Sequence, residues 1–344
     1  DNQREGEDYL YEADFAAMND AAAALLPPFM NPQSGYLGIH YASAAFLNDF
    51  IFDTLNTDGA LMVNYSGHGA TQIWADEHIL DAADLTGLTN TTELPFFVSM
   101  SCETGVFSYP EPWGFASLAE SLLRSTSGAV AALMPTGMST TEGQRILNSA
   151  LFEHIFTDDV RTLGPAIGAA KQTLLANGSS AYEQISKTFL LFGDPATALK
   201  VPLPRKVTNV KAQRTEKGRR ISWNKAFDCN GNAVAGYNVY RAASAAGPFS
   251  KINTALVTDT VFYDTDTGVG IAAGGGAESD GYYAVTAVDG GGTESVESLA
   301  VKPAAAISSA AGGGAAGCFI RAAGHPVARP YPVSYTHLTL PTNA

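Results

Sequence analysis

Residues 60–67, ALMVNYSG, make a nearly continuous apolar run that breaks at Ser66-Gly67, and LPFFVSMS (94–101) repeats the pattern. GAVAALMPT (128–136) and KTFLLFGD (187–194) are two further runs of the same kind. Short apolar runs without polar alternation suit strands buried on both faces of a parallel sheet. Before and between them lie stretches with apolar residues at helical spacing: ASAAFLNDFIFDTLN (42–56), PWGFASLAESLLRSTSG (112–128) with Gly128 as its stop, and EGQRILNSALFEHIFTD (142–158). Strand, crossover helix, strand is the pattern of a layered α/β sheet.

In such a sheet, chemistry collects where loops leave the carboxyl ends of the strands. His68 follows the first run between Gly67 and Gly69, and Cys102 follows the second, ahead of Glu103, Thr104 and Gly105. Two neighbouring parallel strands would present this imidazole and this thiol at one rim. A free thiol is only a few per cent thiolate at pH 7, an adjacent imidazole raises that fraction, and histidine can then protonate a departing amine. The oxyanion that forms on the attacked carbonyl needs donors, of which backbone N–H groups of Gly69 and Cys102 could supply two, and a side chain at position 69 would crowd that approach. Taken singly, the same residues also read as ordinary structure, a small buried thiol at a strand end and a solvated turn histidine.

Composition narrows the field. With 344 residues, 46% of them hydrophobic, the chain can fill sizeable cores, and its net charge of −14 argues against nucleic-acid or anionic-membrane partners. No apolar stretch approaches the roughly 20 residues of a membrane span. Cys102, Cys229 and Cys318 have neither disulfide-framework nor zinc-ribbon spacing. His68 and His78, with Asp76 and Glu77, match no zinc pattern, so no metal is assigned.

VNYSGHGATQIW, LPFFVSMSCETGVF, SLAESLL, GAVAAL and LFGDPA occur in an order and spacing that resembles gingipain-type cysteine peptidases, over about residues 1–203. The resemblance implies a caspase-like, mostly parallel sheet with flanking helices. It implies Cys102 as nucleophile, His68 as general acid/base and the Gly69 and Cys102 amides as the oxyanion hole. In relatives that cut after arginine, an acidic residue on the helix before the histidine strand holds the basic side chain, and Asp14 occupies a similar place here. Another acidic residue orients the histidine, and Asp1 is the nearest match. Relatives also bind structural calcium, for which TDDV (157–160) or DTDTG (264–268) offer carboxylates; no cofactor is required. In the family further strands and a substrate-binding segment precede the equivalent of residue 1. The chain therefore reads as an N-terminally truncated piece with little activity of its own, drawn from an exported peptidase that acts on proteins or peptides.

After Pro202 the pattern changes. VTNVKAQRT, GRRISWNKA, AGYNVYRAA, PFSKINTAL, VFYDTD, GYYAVTAVD and ESLAVKP are short strands separated by turns. Residues 204–302 thus read as an all-β sandwich resembling fibronectin type III domains, with Trp223, Tyr237, Tyr240 and Tyr283 as core. AAAISSAAGGGAAG (304–317) lies in a Gly/Ala-rich linker and sorting-like tail assigned to 303–320. That tail runs into GCFIRAA, which resembles a CFI-box sorting signal, with Cys318 as a processing or anchoring residue at the cell surface. The last residues, PVSYTHLTLPTNA, resemble a translated sequencing adapter, so 321–344 is set aside as a non-native tail. The alternative to an enzyme is a catalytically silent, surface-displayed binding or adhesion protein with a peptidase-like domain.

Overall fold

A computed structural model describes residues 14–27, 30, 32–108, 115–265 and 281–304. Four strands form the first sheet: β1 (Met62–Ser66), β5 (Phe96–Met100), β6 (Ala131–Pro135) and β7 (Phe189–Phe192), in the order β1-β5-β6-β7. β1, β5 and β6 run parallel. β7 turns against β6, Ala132 facing Phe192 and Pro135 facing Phe189, so the fourth run is antiparallel to the rest. Its connection explains this: helix α6 (Ser180–Thr188) passes straight into β7 at Phe189, leaving no crossover that would reverse the chain again.

Every residue of β5 and β6 is buried, as their nearly continuous apolar character, broken only by Ser99, demands. Phe96, Val98 and Met100 point into one core with Ala131 and Leu133. There they meet helix α1 (described over 14–23) through Phe15, Met18 and Ala22, helix α4 (Thr141–Phe152) through Leu147 and Leu151, and helix α5 (Leu163–Ala176) through Ala166, Ala170 and Leu174. Phe97, Ala132 and Met134 point to the opposite face. That face is covered by α2 (Ala44–Asp53) through Leu47, by α3 (Leu118–Arg124) through Leu118 and Leu122, and by Trp74. Phe96 and Phe97 are wholly buried, and each contributes roughly 1.5–3 kcal/mol by leaving water.

The expected helix stop at Gly128 lies elsewhere: α3 ends at Arg124, with Ser125 extended after it. Gly128 instead lies against the chain, where a Cβ would stand 2.0 Å from the Leu122 carbonyl oxygen. A glycine is needed there for close approach, not for helix termination.

A three-stranded antiparallel ribbon, β2 (Gly69–Ala70), β3 (Ile73–Trp74) and β4 (Leu80–Asp81), follows β1 directly.

Residues 207–304 hold two antiparallel sheets over one core. One contains β11 (Ser250–Lys251), β10 (Gly236–Ala242) and β13 (Tyr282–Val288); the other contains β12 (Val261–Asp264), β9 (Gly218–Ser222) and β8 (Lys211–Thr215). Trp223, Tyr237, Val239, Tyr283 and Val285 fill the space between them. Tyr240 was expected beside them, but the period-two alternation of β10 sends it to the other face, where its hydroxyl donates to Glu294 at 2.6 Å. The passage between the two regions is held by buried Arg161. Its guanidinium pairs with Asp159 and donates to the carbonyls of Val201 (3.0 Å), Leu203 (2.9 Å) and Pro204 (3.0 Å).

Candidate active site

The β1–β5 ladder runs from Met62 opposite Phe96 to Ser66 opposite Met100, and the Gly67 N–H donates to the Met100 carbonyl at 3.1 Å. His68 and Cys102 each lie two residues beyond the last paired residue of their strands, so the register brings them to the same rim. The imidazole is exposed and meets the edge of Phe15 on α1, ring centroids 5.6 Å apart at 80°. The Cys102 sulfur turns toward Ser139 on the β6–α4 loop, 3.9 Å from its carbonyl oxygen and 4.0 Å from its hydroxyl.

The two glycines beside His68 answer to different neighbours. Gly67 lies under Tyr65, whose hydroxyl a Cβ would approach to 2.4 Å, and that hydroxyl donates to the His68 carbonyl at 2.7 Å. Gly69 lies against the other rim, where a Cβ would stand 2.9 Å from the Cys102 carbonyl oxygen, Ser101 Cβ and Thr104 Cγ2 alike. The ribbon also leaves the Gly69 amide out of its ladder. Ala75 N–H donates to the His68 carbonyl at 3.0 Å, which makes Gly69 and Trp74 a non-hydrogen-bonded pair.

Both rims are anchored at the N-terminus of α3, where a helix offers N–H groups without intrahelical partners. Leu118 N–H donates to the Thr71 carbonyl at 2.8 Å and Ala119 N–H to the Thr104 carbonyl at 3.1 Å. Ser117 and Glu120 complete a capping box. The ribbon and the thiol loop are thus fixed to one helix end. Glu103 sits at φ +59, a conformation few side chains adopt, and is held there by its N–H to the Gly137 carbonyl at 3.2 Å.

Beneath the rim runs a chain of buried hydroxyls. Trp74 Nε1 donates to Ser99 Oγ (3.0 Å), Ser99 Oγ bonds Ser101 Oγ (2.7 Å), and Ser101 Oγ bonds Thr104 Oγ1 (3.0 Å). Tyr65 stacks on the Trp74 ring at 4.3 Å, and burial, with Glu77 nearby, pushes its phenol well above the usual tyrosine range. Sequence reading missed this network and also Ser139 and Gln144. The one available signal was polar residues on an apolar helix face, since Gln144, Leu147, Asn148 and Leu151 share one side of α4.

Asp14 is exposed at the start of the described part of α1, next to Phe15. Asp1 and Cys318 lie outside the described residues, as do the sorting-like tail and the adapter-like end. Among the described residues no group of three or more His, Cys, Asp or Glu side chains is arranged to hold a metal. Within the 157–160 turn Asp158 pairs with His154 and Asp159 with Arg161, while residues 266–268 of the other acidic turn lie outside the described residues. Cys102 and Cys229 are free thiols. No described helix is long and apolar enough to cross a membrane.

The chain belongs to peptidase family C25, whose family model matches residues 1–200. Gingipain R2 of Porphyromonas gingivalis strain W83 is 28% identical over 218 residues, which are 61% of this chain and 27% of its own length. Gingipain R1 of P. gingivalis is 28% identical over 190 residues, 53% of this chain and 18% of its own. The chain spans about a quarter or less of the length of these curated relatives. Among solved structures, the Arg-specific cysteine proteinase gingipain R is matched over 73% of this chain and 55% of its own, at 20% identity and a TM-score of 0.41. An Fn3-like protein from Clostridium thermocellum is matched over 29% of this chain and 90% of its own, at 27% identity and a TM-score of 0.22.

Proposed function

We propose that this chain carries the catalytic half-site of an exported cysteine endopeptidase of gingipain type. The observation that carries the reading is the β1–β5 register, which leads His68 and Cys102 to one rim, together with the contact between Gly69 and the Cys102 carbonyl. His68 takes the thiol proton as the sulfur attacks the peptide carbonyl. The N–H groups of Gly69 and Cys102 receive the resulting oxyanion. Collapse breaks the C–N bond, His68 returns its proton to the leaving amine, and water then hydrolyses the thioester. These steps use side chains and backbone alone. Asp14, one residue from the Phe15 that touches the imidazole, is assigned to hold a basic substrate side chain.

Residues 204–302 are assigned as a fibronectin type III-like module, supported by the packing of Trp223 on Tyr237 between two antiparallel sheets, at 5.3 Å. Tail-mediated anchoring at the cell surface completes the reading.

Intact-mass and peptide-mapped labelling with iodoacetamide at pH 6 tests it. Cys102 is expected to react ahead of Cys229, and the preference is expected to vanish in His68→Ala. Equal labelling of the thiols in the parent chain would instead favour a silent adhesion protein. Turnover of a mixed peptide library by this chain alone is expected to be near background, because among the described residues β1 is an edge strand, with a cavity of about 760 Å³ reaching from Leu26 and Phe50 to His68. Robust Cys102-dependent cleavage would overturn that second expectation while leaving the dyad intact.

A further inference from the structure

We propose that Gln144 is the positioning residue for Cys102: a buried amide on α4 that fixes the strand-end carbonyl before the thiol and the hydroxyl beside it, in one closed hydrogen-bond triangle. This rests on Cys102 being the nucleophile. Gln144 Nε2 donates to the Ser101 carbonyl at 2.7 Å and to Ser139 Oγ at 2.5 Å, and Ser139 Oγ donates to the same Ser101 carbonyl at 2.8 Å. Gln144 is only 2% exposed.

Donor counting makes the triangle specific. An amide NH₂ has two protons, and Gln144 uses one on Ser101 and one on Ser139. A serine hydroxyl has one proton, and Ser139 commits it to Ser101, so it has none to offer the sulfur 4.0 Å away. Ser139 is thereby held as an acceptor facing Cys102. A glutamate could not reproduce this, because its ionised carboxylate only accepts, and an asparagine would fall one methylene short. The Gln144 Oε1 atom is buried without a partner among the described residues, so the donors, not the carbonyl, tie the side chain in place.

The clamp completes the fastening of the thiol loop. Thr104 is held from α3 and Gly105 by its N–H to the Pro135 carbonyl at 2.8 Å, but Ser101, the residue directly before the thiol, is gripped from α4 through Gln144 and from the loop before α4 through Ser139. Losing that grip loosens the thiol loop from its N-terminal end, and the Ser101 hydroxyl, bonded to Thr104 at 3.0 Å, carries the loosening along it.

The test uses the full chain and two readouts. In Gln144→Met, which keeps the length and removes both donors, alkylation of Cys102 at pH 6 is expected to slow about tenfold against Cys229, the loss of about one buried hydrogen bond. Amide hydrogen exchange over residues 101–105 is expected to accelerate. Asn148→Leu, one turn further on the same buried face and with a side-chain amide that has no hydrogen-bond partner among the described residues, is expected to change neither readout. An unchanged Cys102 to Cys229 rate ratio with unchanged exchange in folded Gln144→Met overturns the proposal. So does an equal slowing in Asn148→Leu, which would make the effect one of helix stability. Ser139→Ala carries the test if Gln144→Met does not fold: a two- to threefold slowing is expected, and none overturns the clamp. Failure of the dyad reading looks different. There, parent Cys102 shows no His68-dependent preference, while the exchange of residues 101–105 still responds to Gln144.

Discussion

Arg161→Ala is expected to lower the thermal midpoint by roughly 10 °C. Arg161 is 3% exposed and carries four bonds at once, to Asp159 and to the carbonyls of Val201, Leu203 and Pro204. Burial drags the guanidinium pKa down and the Asp159 carboxylate pulls it back, so the group stays cationic in a site where an unpaired charge would be costly. Asp159 in turn accepts from the Lys206 N–H at 2.8 Å, which closes the clip over the passage between the two cores. Truncation leaves a largely buried carboxylate without its cation and takes the guanidinium donor from three carbonyls, of which Val201 keeps the Leu203 N–H at 2.7 Å. Breaking a buried pair in this way costs about 3–5 kcal/mol, and at a few degrees per kcal/mol that is the shift stated. Arg161→Lys keeps the charge but loses the planar fork that spans three acceptors, and its midpoint is expected to fall between the two. Thermal unfolding followed by circular dichroism decides the matter: a midpoint for Arg161→Ala within about 2 °C of the parent would show that the clip does not contribute.

This clip was invisible in the sequence, and the reason is physical. Arg161 and Asp159 stand in a polar turn, TDDVR, whose local pattern is that of a solvated loop; only the return of residues 201–204 buries them. The strands were legible because β5 and β6 are buried on both faces, so every residue had to be apolar or small. Placement of His68 and Cys102 at one rim was legible because both directly follow apolar runs, although β1, unlike β5, is only partly buried. The reversal at β7 was not, because FLLF has the same apolar character in either direction, and direction depends on where α6 delivers the chain. Tyr240 shows the complementary failure. Aromatic identity marked it as core, while the strict alternation of β10, with Tyr237 and Val239 inward, assigned it to the outer face. Gln144 escaped because a single polar residue in an amphipathic helix reads as exposed unless its spacing to Leu147 and Leu151 is weighed against its chemistry.

Gly69→Ala is expected to separate the two rims of the site with little change elsewhere. The new methyl would fall 2.9 Å from the Cys102 carbonyl oxygen, from Ser101 Cβ and from Thr104 Cγ2, closer than real Cβ atoms approach anything. Relief requires movement, and both sides resist it. On the ribbon side His68 is held through its carbonyl by Ala75 N–H and the Tyr65 hydroxyl, and Thr71 is held by Leu118 N–H. On the thiol side Ser101 is gripped by Gln144 and Ser139, and Thr104 by Ala119 N–H. Overpacking of this kind costs about 1–3 kcal/mol, and a displacement near 1 Å at reacting groups can cost on the order of 10²-fold in rate. The midpoint is therefore expected to fall by only a few degrees, while the His68-dependent alkylation of Cys102 falls by at least an order of magnitude on that scale. Gly67→Ala provides the contrast, because its methyl meets the Tyr65 ring and hydroxyl rather than the backbone of the thiol loop, so it strains the Tyr65 hold on the His68 carbonyl and not the approach of the two rims. If Gly69→Ala and Gly67→Ala alkylate Cys102 at the same rate as the parent chain, the approach of residue 69 to the Cys102 carbonyl has no part in the chemistry, and the glycine is there for packing alone.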